Sequence, residues 1–326
     1  MGEFELLARV RERLPPAGPR VRVGSGDDAA VTVPGAATAT SVDALVEGVH
    51  FRRDLASPEQ IGRKALATAL SDLAAMGAEA GEAYVVLGVP PDLDEDGCID
   101  LLDGLLALAA TTETTLAGGD VTRAGELFLA ITVVGHAPNP EALVGRAGAH
   151  PGDALVLTDE IGGAAAGLWL LENRISEPQL PGAAGAGLRT RQLEPRPRLG
   201  AGRALAGAGA RAMIDLSDGL GGDAVHLAEA SGVALRIDGG AVPRAGGADE
   251  VAAAAGRDPW QLLCGGEDYE LLASIPAKRL DEAAQAVRQA EGIALTRIGE
   301  VAAGSGVEIR LPGGRVLEPA GFDQLA

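Results

Sequence analysis

Short apolar runs of β type alternate with helix-patterned segments along the whole chain, and this alternation restricts the fold to a mixed α and β architecture. In the first half the runs are residues 37–42, 83–89, 114–116 and 127–134. In the second half they are "DALVLTDE" and residues 212–215, 233–237, 270–275 and 295–301. The clearest helix opens at Ser57, a capping residue followed by Pro58 and by Gln60 three positions on. Ile61, Ala65, Ala69, Leu73 and Met76 then recur at helical spacing until Gly77 stops the helix. A second helix is expected over residues 99–110, an amphipathic one over "MGEFELLARVRERL", and another over "GGAAAGLWLLENR".

A length of 326 residues suggests two domains. The proline- and glycine-rich segment "HAPNPEALVGRAGAHPGD" is the expected link, giving domains at 1–148 and 149–326. Only 2% of residues are aromatic, so the cores must be built from Ala, Val, Leu and Ile. The net charge of -19 disfavours nucleic acid and anionic lipid, which would be repelled. No apolar run reaches the ~20 residues of a membrane span. Cys98 and Cys264 form no CxxC pattern, so a soluble, reduced, cytoplasmic setting is expected. The segment "PGAAGAG" at 181–187 reads as a mobile loop.

Acidic residues gather where strands and turns meet. "GSGDDAAV" sets Asp27 beside Asp28, and Asp43, Asp72, Asp120, Asp215 and Asp218 follow. At about 4 Å two like charges repel by roughly 1 kcal/mol in water and roughly 4 kcal/mol near a protein surface, a cost that a cation reverses. Asp43, Asp120 and Asp215 each fall directly after an expected strand, on one rim of a sheet. Carboxylate oxygens suit Mg²⁺, which keeps waters and takes phosphate oxygens. Any single one of these Asp-Gly motifs is more often an ordinary turn than a metal site. Their number and repeated placement, and the position of Asp72 beside the buried stripe of its helix, raise the metal reading.

Lysine occurs only at Lys64 and Lys278, and neither lies in a glycine-rich loop, which excludes a P-loop and gives no support to a protein-kinase glycine loop. Phosphates bound here would be offset by metal ions and arginines, with Arg123 and Arg146 as candidates. The four histidines lack zinc spacing, "DLSDG" lacks the first glycine of a nucleophile elbow, and "GGAAAG" lacks the strand-end acid of a dinucleotide loop. Helix packing is the expected role of those last glycines.

Taken in order, "GSGDDAAV", "TSVDALVEGVHF", "LSDLAAMGA", "GGDVTR", "IDLSDGL" and "GGEDYEL" resemble the thiamine-monophosphate kinase family across nearly the whole chain. The resemblance implies the two-domain α+β fold shared with aminoimidazole ribonucleotide synthetase, dimerising through N-terminal strands. The N-terminal domain would bind ATP and Mg²⁺ and form the dimer, and the C-terminal domain would complete the active site. The implied reaction phosphorylates thiamine monophosphate to thiamine diphosphate with ATP and several Mg²⁺ ions.

On the same resemblance, the metal ligands are Asp28, Asp43, Asp72, Asp120, Asp215 and Asp218, with Asp72, Asp120 and Asp218 the catalytic ones. ATP contacts fall on the "GGD" turn at Gly119 and Asp120, on Arg146 and on Ser217, and substrate contacts on His50, Glu267 and Phe322. Val42 stands where the family often has Thr or Ser, so a metal contact there uses the backbone oxygen or is lost. Phe322 stands where Tyr is common, which keeps stacking and loses a hydroxyl. The alternatives are another ATP-dependent enzyme of the superfamily, of the aminoimidazole ribonucleotide synthetase type, and a non-catalytic acidic metal-binding protein.

Overall fold

The computed structural model describes residues 3–25, 29–172 and 184–322. The chain divides into two compact units, residues 1–73 with 78–140, and residues 74–77 with 141–326.

In the first unit the order is α1 (Glu3–Arg13), β1 (Val21–Val23), β2 (Val31–Thr32), β3 (Ala37–Val46), α2 (Pro58–Ala75), β4 (Glu79–Val89), α3 (Glu95–Thr112), β5 (Thr115–Arg123) and β6 (Phe128–Ala137). The four longer strands form a sheet in the order β3-β6-β4-β5, antiparallel except for the parallel β4–β5 pair. The expected cap of α2 is present as a reciprocal pair: the Ser57 N–H donates to Gln60 Oε1 at 3.1 Å, and the Gln60 N–H donates to Ser57 Oγ at 3.4 Å. At its other end Gly77 takes φ 67°, and the Ala78 N–H closes on the Leu73 carbonyl at 3.0 Å. Helices α2 and α3 cross so closely that a Cβ on Gly62 would lie 1.8 Å from the Leu101 oxygen, so no larger residue fits there.

Register divides the sheet into two faces. Ser41, Asp43 and Leu45 on β3 share a face with Leu129, Ile131 and Val133 on β6, which are buried. Helix α2 covers this face, with the Ser41 hydroxyl bonded to Asp72. The opposite face carries Val42, Ala44, Tyr84 and Val86; Val42 is 66% exposed and Val86 36%.

The second unit contains β7 (Asp153–Thr158), α4 (Gly163–Leu171), α5 (Ala184–Leu193), α6 (Leu199–Gly207), β8 (Ala212–Asp215), α7 (Leu220–Ser231), β9 (Ala234–Asp238), α8 (Ala248–Ala254), β10 (Leu271–Pro276), α9 (Leu280–Glu291), β11 (Leu295–Ala302), β12 (Gly306–Arg310) and β13 (Val316–Leu317). Its seven-stranded sheet runs β13-β12-β9-β11-β7-β10-β8 over an aliphatic core that includes Leu155, Leu157, Ile214, Leu235 and Leu272.

Three expectations require correction. Asp43 and Asp120 lie inside β3 and β5 rather than after them, so only Asp215 ends its strand. The "GGD" segment is likewise strand and not turn. Of the expected loop at 181–187, residues 184–187 form the first turn of α5, and 181–183 lie outside the described residues. The glycines of "GGAAAG" do serve packing: a Cβ on Gly167 would stand 2.1 Å from the Leu188 oxygen of α5.

Candidate active site

Two acidic clusters form, one in each unit. In the first, Asp43 and Asp72 approach each other on the helix-covered face of the sheet, and the Ser41 hydroxyl donates to Asp72 Oδ2. Burial and the neighbouring charge of Asp72 push the Asp43 carboxyl up to about 6. The Val42 side chain points to the other face, so it cannot join them. Asp120 is set apart. Its register partner is Val86, which places it on the exposed face at the β5 edge, three strand spacings or roughly 14 Å across the sheet from β3. Asp28 lies outside the described residues.

Beside Asp120 the backbone of residues 118–121 forms one wall of an apolar recess of about 80 Å³, completed by Leu6, Val10, Leu101 and Leu105 from α1 and α3. Gly119 is there by necessity, because a Cβ would stand 2.1 Å from the Val85 oxygen.

His50 is held by the chain around it. Its Nδ1 accepts the Val46 N–H at 3.1 Å, so a singly protonated ring carries its hydrogen on Nε2 and offers a donor there. The buried Lys64 ammonium donates to the His50 carbonyl at 3.3 Å and fixes the same loop from below.

In the second unit the turn after β8 gathers Asp215, Asp218 and a third carboxylate, Asp223. Asp223 is buried, and its Oδ2 accepts the N–H groups of Asp218 and Gly219, each at 3.0 Å. Burial and the charges of Asp215 and Asp218 push its carboxyl up to about 8. The same turn anchors two of the three expected substrate residues. The Glu267 N–H donates to the Ser217 carbonyl at 2.8 Å, and the Phe322 N–H donates to the Asp218 carbonyl at 3.0 Å. Glu267 adopts a left-handed φ of 62°, a conformation that a non-glycine residue holds at some cost. Phe322 is 53% exposed.

Arg146 sits beside the start of β8: the Gly145 carbonyl accepts the Met213 N–H at 2.9 Å, and the Arg146 carbonyl accepts the Ser231 hydroxyl of α7 at 2.9 Å. Among the described residues, no three His, Cys, Asp or Glu side chains are placed to enclose a metal ion by themselves. The close pair of hard carboxylates at Asp43 and Asp72 nevertheless fits Mg²⁺, which completes its shell with water and phosphate. Sequence reasoning missed Asp223, Ser41 and Lys64. Of these only Asp223 carried a signal, as a further acid five positions after Asp218.

The raised carboxyls of the two clusters, Asp43 and Asp223, give a test, and the buried Asp268 and Glu270 carboxyls, raised to about 6 and about 7, add to the same trend. The folded pKa values of Asp43 and Asp223 stand above the ordinary 3.8, so the folded state takes up protons before the unfolded chain does. The resulting stabilisation is fully present below the unfolded value, and it is lost as pH rises through about 6 for Asp43 and about 8 for Asp223. Without divalent cations, the melting temperature should therefore fall from about pH 5 to about pH 9, and Mg²⁺ should flatten that slope by favouring the ionised forms. A metal-free melting temperature that rises across this range contradicts the assignment.

Residues 26–137 match the family described as AIR synthase related protein, N-terminal domain, and residues 150–312 match its C-terminal domain. Thiamine-monophosphate kinase of Mycobacterium tuberculosis is 41% identical over 279 residues, covering 84% of this chain and 80% of that protein. The chain belongs to the thiamine-monophosphate kinase family. It is an enzyme of that family, and the two-domain mixed α and β fold agrees with the membership. The crystal structure of thiamine-monophosphate kinase from Stenotrophomonas maltophilia is 34% identical, covers 95% of both chains and superposes with a TM-score of 0.78. AaThiL complexed with AMPPCP and TMP is 30% identical over 87% of this chain and 86% of that one, with a TM-score of 0.77. Among the described residues no helix is long and apolar enough to cross a membrane.

Proposed function

We propose that the enzyme transfers the terminal phosphoryl group of ATP to thiamine monophosphate, directly and in line, giving thiamine diphosphate. The observation that carries this reading is the identity to thiamine-monophosphate kinases over most of the chain, together with a structural relative complexed with AMPPCP and TMP. A phosphate monoester has a second pKa of about 6, so the acceptor is already largely ionised at neutral pH and needs no general base. The difficulty lies in bringing two anions together in line.

Asp43 and Asp72 in one unit, and Asp215 and Asp218 in the other, are the residues that would hold Mg²⁺, with Asp28 and Asp120 as further proposed ligands. Val42 would contribute only through its backbone. Bound Mg²⁺ supplies charge neutralisation on the phosphates. Ser41 orients Asp72, and Asp223 fixes the main chain that carries Asp218. Gly119, Asp120, Arg146 and Ser217 are the proposed nucleotide contacts, and the apolar recess beside Gly119 offers a wall to the base. His50 offers its Nε2 hydrogen to an acceptor oxygen. Glu267 attracts the cationic thiazolium ring, and Phe322 presents an aromatic face to it.

We also propose a homodimer joined through the exposed face of the first sheet, where Val42, Ala44 and Val86 form an apolar surface. A Val42→Glu, Val86→Glu double variant should sediment as a monomer, and an unchanged sedimentation coefficient would count against this interface. Two free cysteines suit a reducing cytoplasm.

The deciding experiment supplies ATP with either thiamine monophosphate or formylglycinamidine ribonucleotide. Consumption of the first alone supports the proposal. Consumption of the second points instead to aminoimidazole ribonucleotide synthetase chemistry.

A further inference from the structure

Gln192 is a buried amide that the mechanism above does not use. It lies near the end of α5, 5% exposed, and its Nε2 donates to Glu267 Oε2 at 2.6 Å. A carboxylate only accepts hydrogen bonds, so the amide nitrogen must face Glu267. The amide oxygen Oε1 then turns into the protein, where it is buried without a partner among the described residues. An orphaned buried acceptor costs stability, and an apolar side chain of the same volume would avoid that cost. Its presence therefore calls for a reason other than packing.

The surroundings hold the amide in place. Gly167 lets α5 close on α4, and a Cβ there would stand 3.1 Å from the Gln192 Cβ. The backbone that carries the partner carboxylate is held as well, by its left-handed φ and by the bond from the Glu267 N–H to the Ser217 carbonyl. An amide donor also differs from a guanidinium in one respect that matters: it fixes the direction of the carboxylate without adding positive charge.

From this geometry we infer that Gln192 is a positioning residue for acceptor recognition, aiming the Glu267 carboxylate at the cationic ring of the phosphate acceptor while leaving its charge intact. The inference rests on the reading that the acceptor is thiamine monophosphate.

The test is steady-state kinetics on the full chain with Gln192→Met and Gln192→Glu, alongside thermal melts. Gln192→Met should raise the KM for thiamine monophosphate about tenfold, leave the KM for ATP within about twofold, and melt no lower than the wild type. Gln192→Glu sets two carboxyl groups against each other. Its KM for thiamine monophosphate should be higher still at pH 8 and should recover towards pH 6, as the pair comes to share a proton. An unchanged KM for thiamine monophosphate in both variants overturns the inference, as does a parallel rise in both KM values. If the wild type itself fails to phosphorylate thiamine monophosphate, the acceptor reading fails and this inference falls with it. Wild-type turnover with unmoved variants removes this inference alone.

Discussion

Replacing Asp72 with Asn should leave a folded protein whose turnover of ATP and thiamine monophosphate is at least about 100-fold lower, the scale on which an enzyme loses a group that stabilises transition-state charge. The fold should survive for two reasons. An amide oxygen can still accept the Ser41 hydroxyl. The substitution also removes the like charge that, together with burial, raises Asp43. Melting temperature should thus be unchanged or higher while kcat collapses, and Asp43 should titrate closer to an ordinary aspartate. Saturating Mg²⁺ should not restore the rate if, as proposed, Asp72 is a ligand and not merely a counter-charge. Wild-type turnover in this variant would remove Asp72 from the catalytic set.

Gly219→Ala should damage both stability and activity. Gly219 holds φ 104°, where L side chains are strained, and a Cβ would stand 2.6 Å from the Cys264 carbonyl carbon. Strain of this kind costs about 1–3 kcal/mol, and overpacking against rigid backbone adds about as much. The turn cannot yield quietly, because the Gly219 and Asp218 N–H groups are both bound to Asp223 and the Asp218 carbonyl holds the Phe322 N–H. Displacing it moves Asp218 and Phe322 together. We therefore expect a stability loss of about 2–6 kcal/mol in denaturant titrations, with a drop in kcat and a higher KM for thiamine monophosphate in whatever remains folded. Gly232→Ala is the control. It also has positive φ, 65°, but opens onto free space, so it should cost only about 1 kcal/mol and leave kinetics alone. Equal behaviour of the two variants would mean that the Asp218 turn is not seated as described.

Much of the fold could be read from local chemistry. The Ser57 and Gln60 cap and the Gly77 stop of α2 are written in residues three or four apart, and the structure keeps them. The errors have a common origin. Asp and Gly are poor strand formers, so "VDA" and "GGD" read as strand ends. Both lie on edge strands, β3 and β5, where an aspartate reaches its neighbours without disrupting a central ladder. Gly119 is present in β5 because β4 comes too close for a side chain, which no single-sequence pattern reveals. The segment at 184–187 looks like a linker because glycine and alanine dominate it, although it opens α5, and the close approach of α5 to α4 is made at Gly167 against the Leu188 oxygen.

The site was legible only as far as its acids. Asp43, Asp72, Asp215 and Asp218 stand out as charges in apolar or turn contexts, and the structure pairs them within their own units. What supports them was hidden. Ser41 meets Asp72 across 31 positions, and Gln192 meets Glu267 across 75. Such pairs depend on tertiary packing, and neither serine nor glutamine carries a charge that would mark it in the sequence.

The most direct test of the account is a calorimetric titration of Mg²⁺ into the wild type and into Asp72→Asn, each with and without the non-hydrolysable ATP analogue AMPPCP. If the aspartates hold magnesium against a nucleotide's phosphates, the wild type should bind Mg²⁺ at least about tenfold more tightly when the analogue is present, and the variant should lose most of that gain. Weak binding that is the same with and without the analogue would contradict the account, leaving these carboxylates as acids of turns and edges.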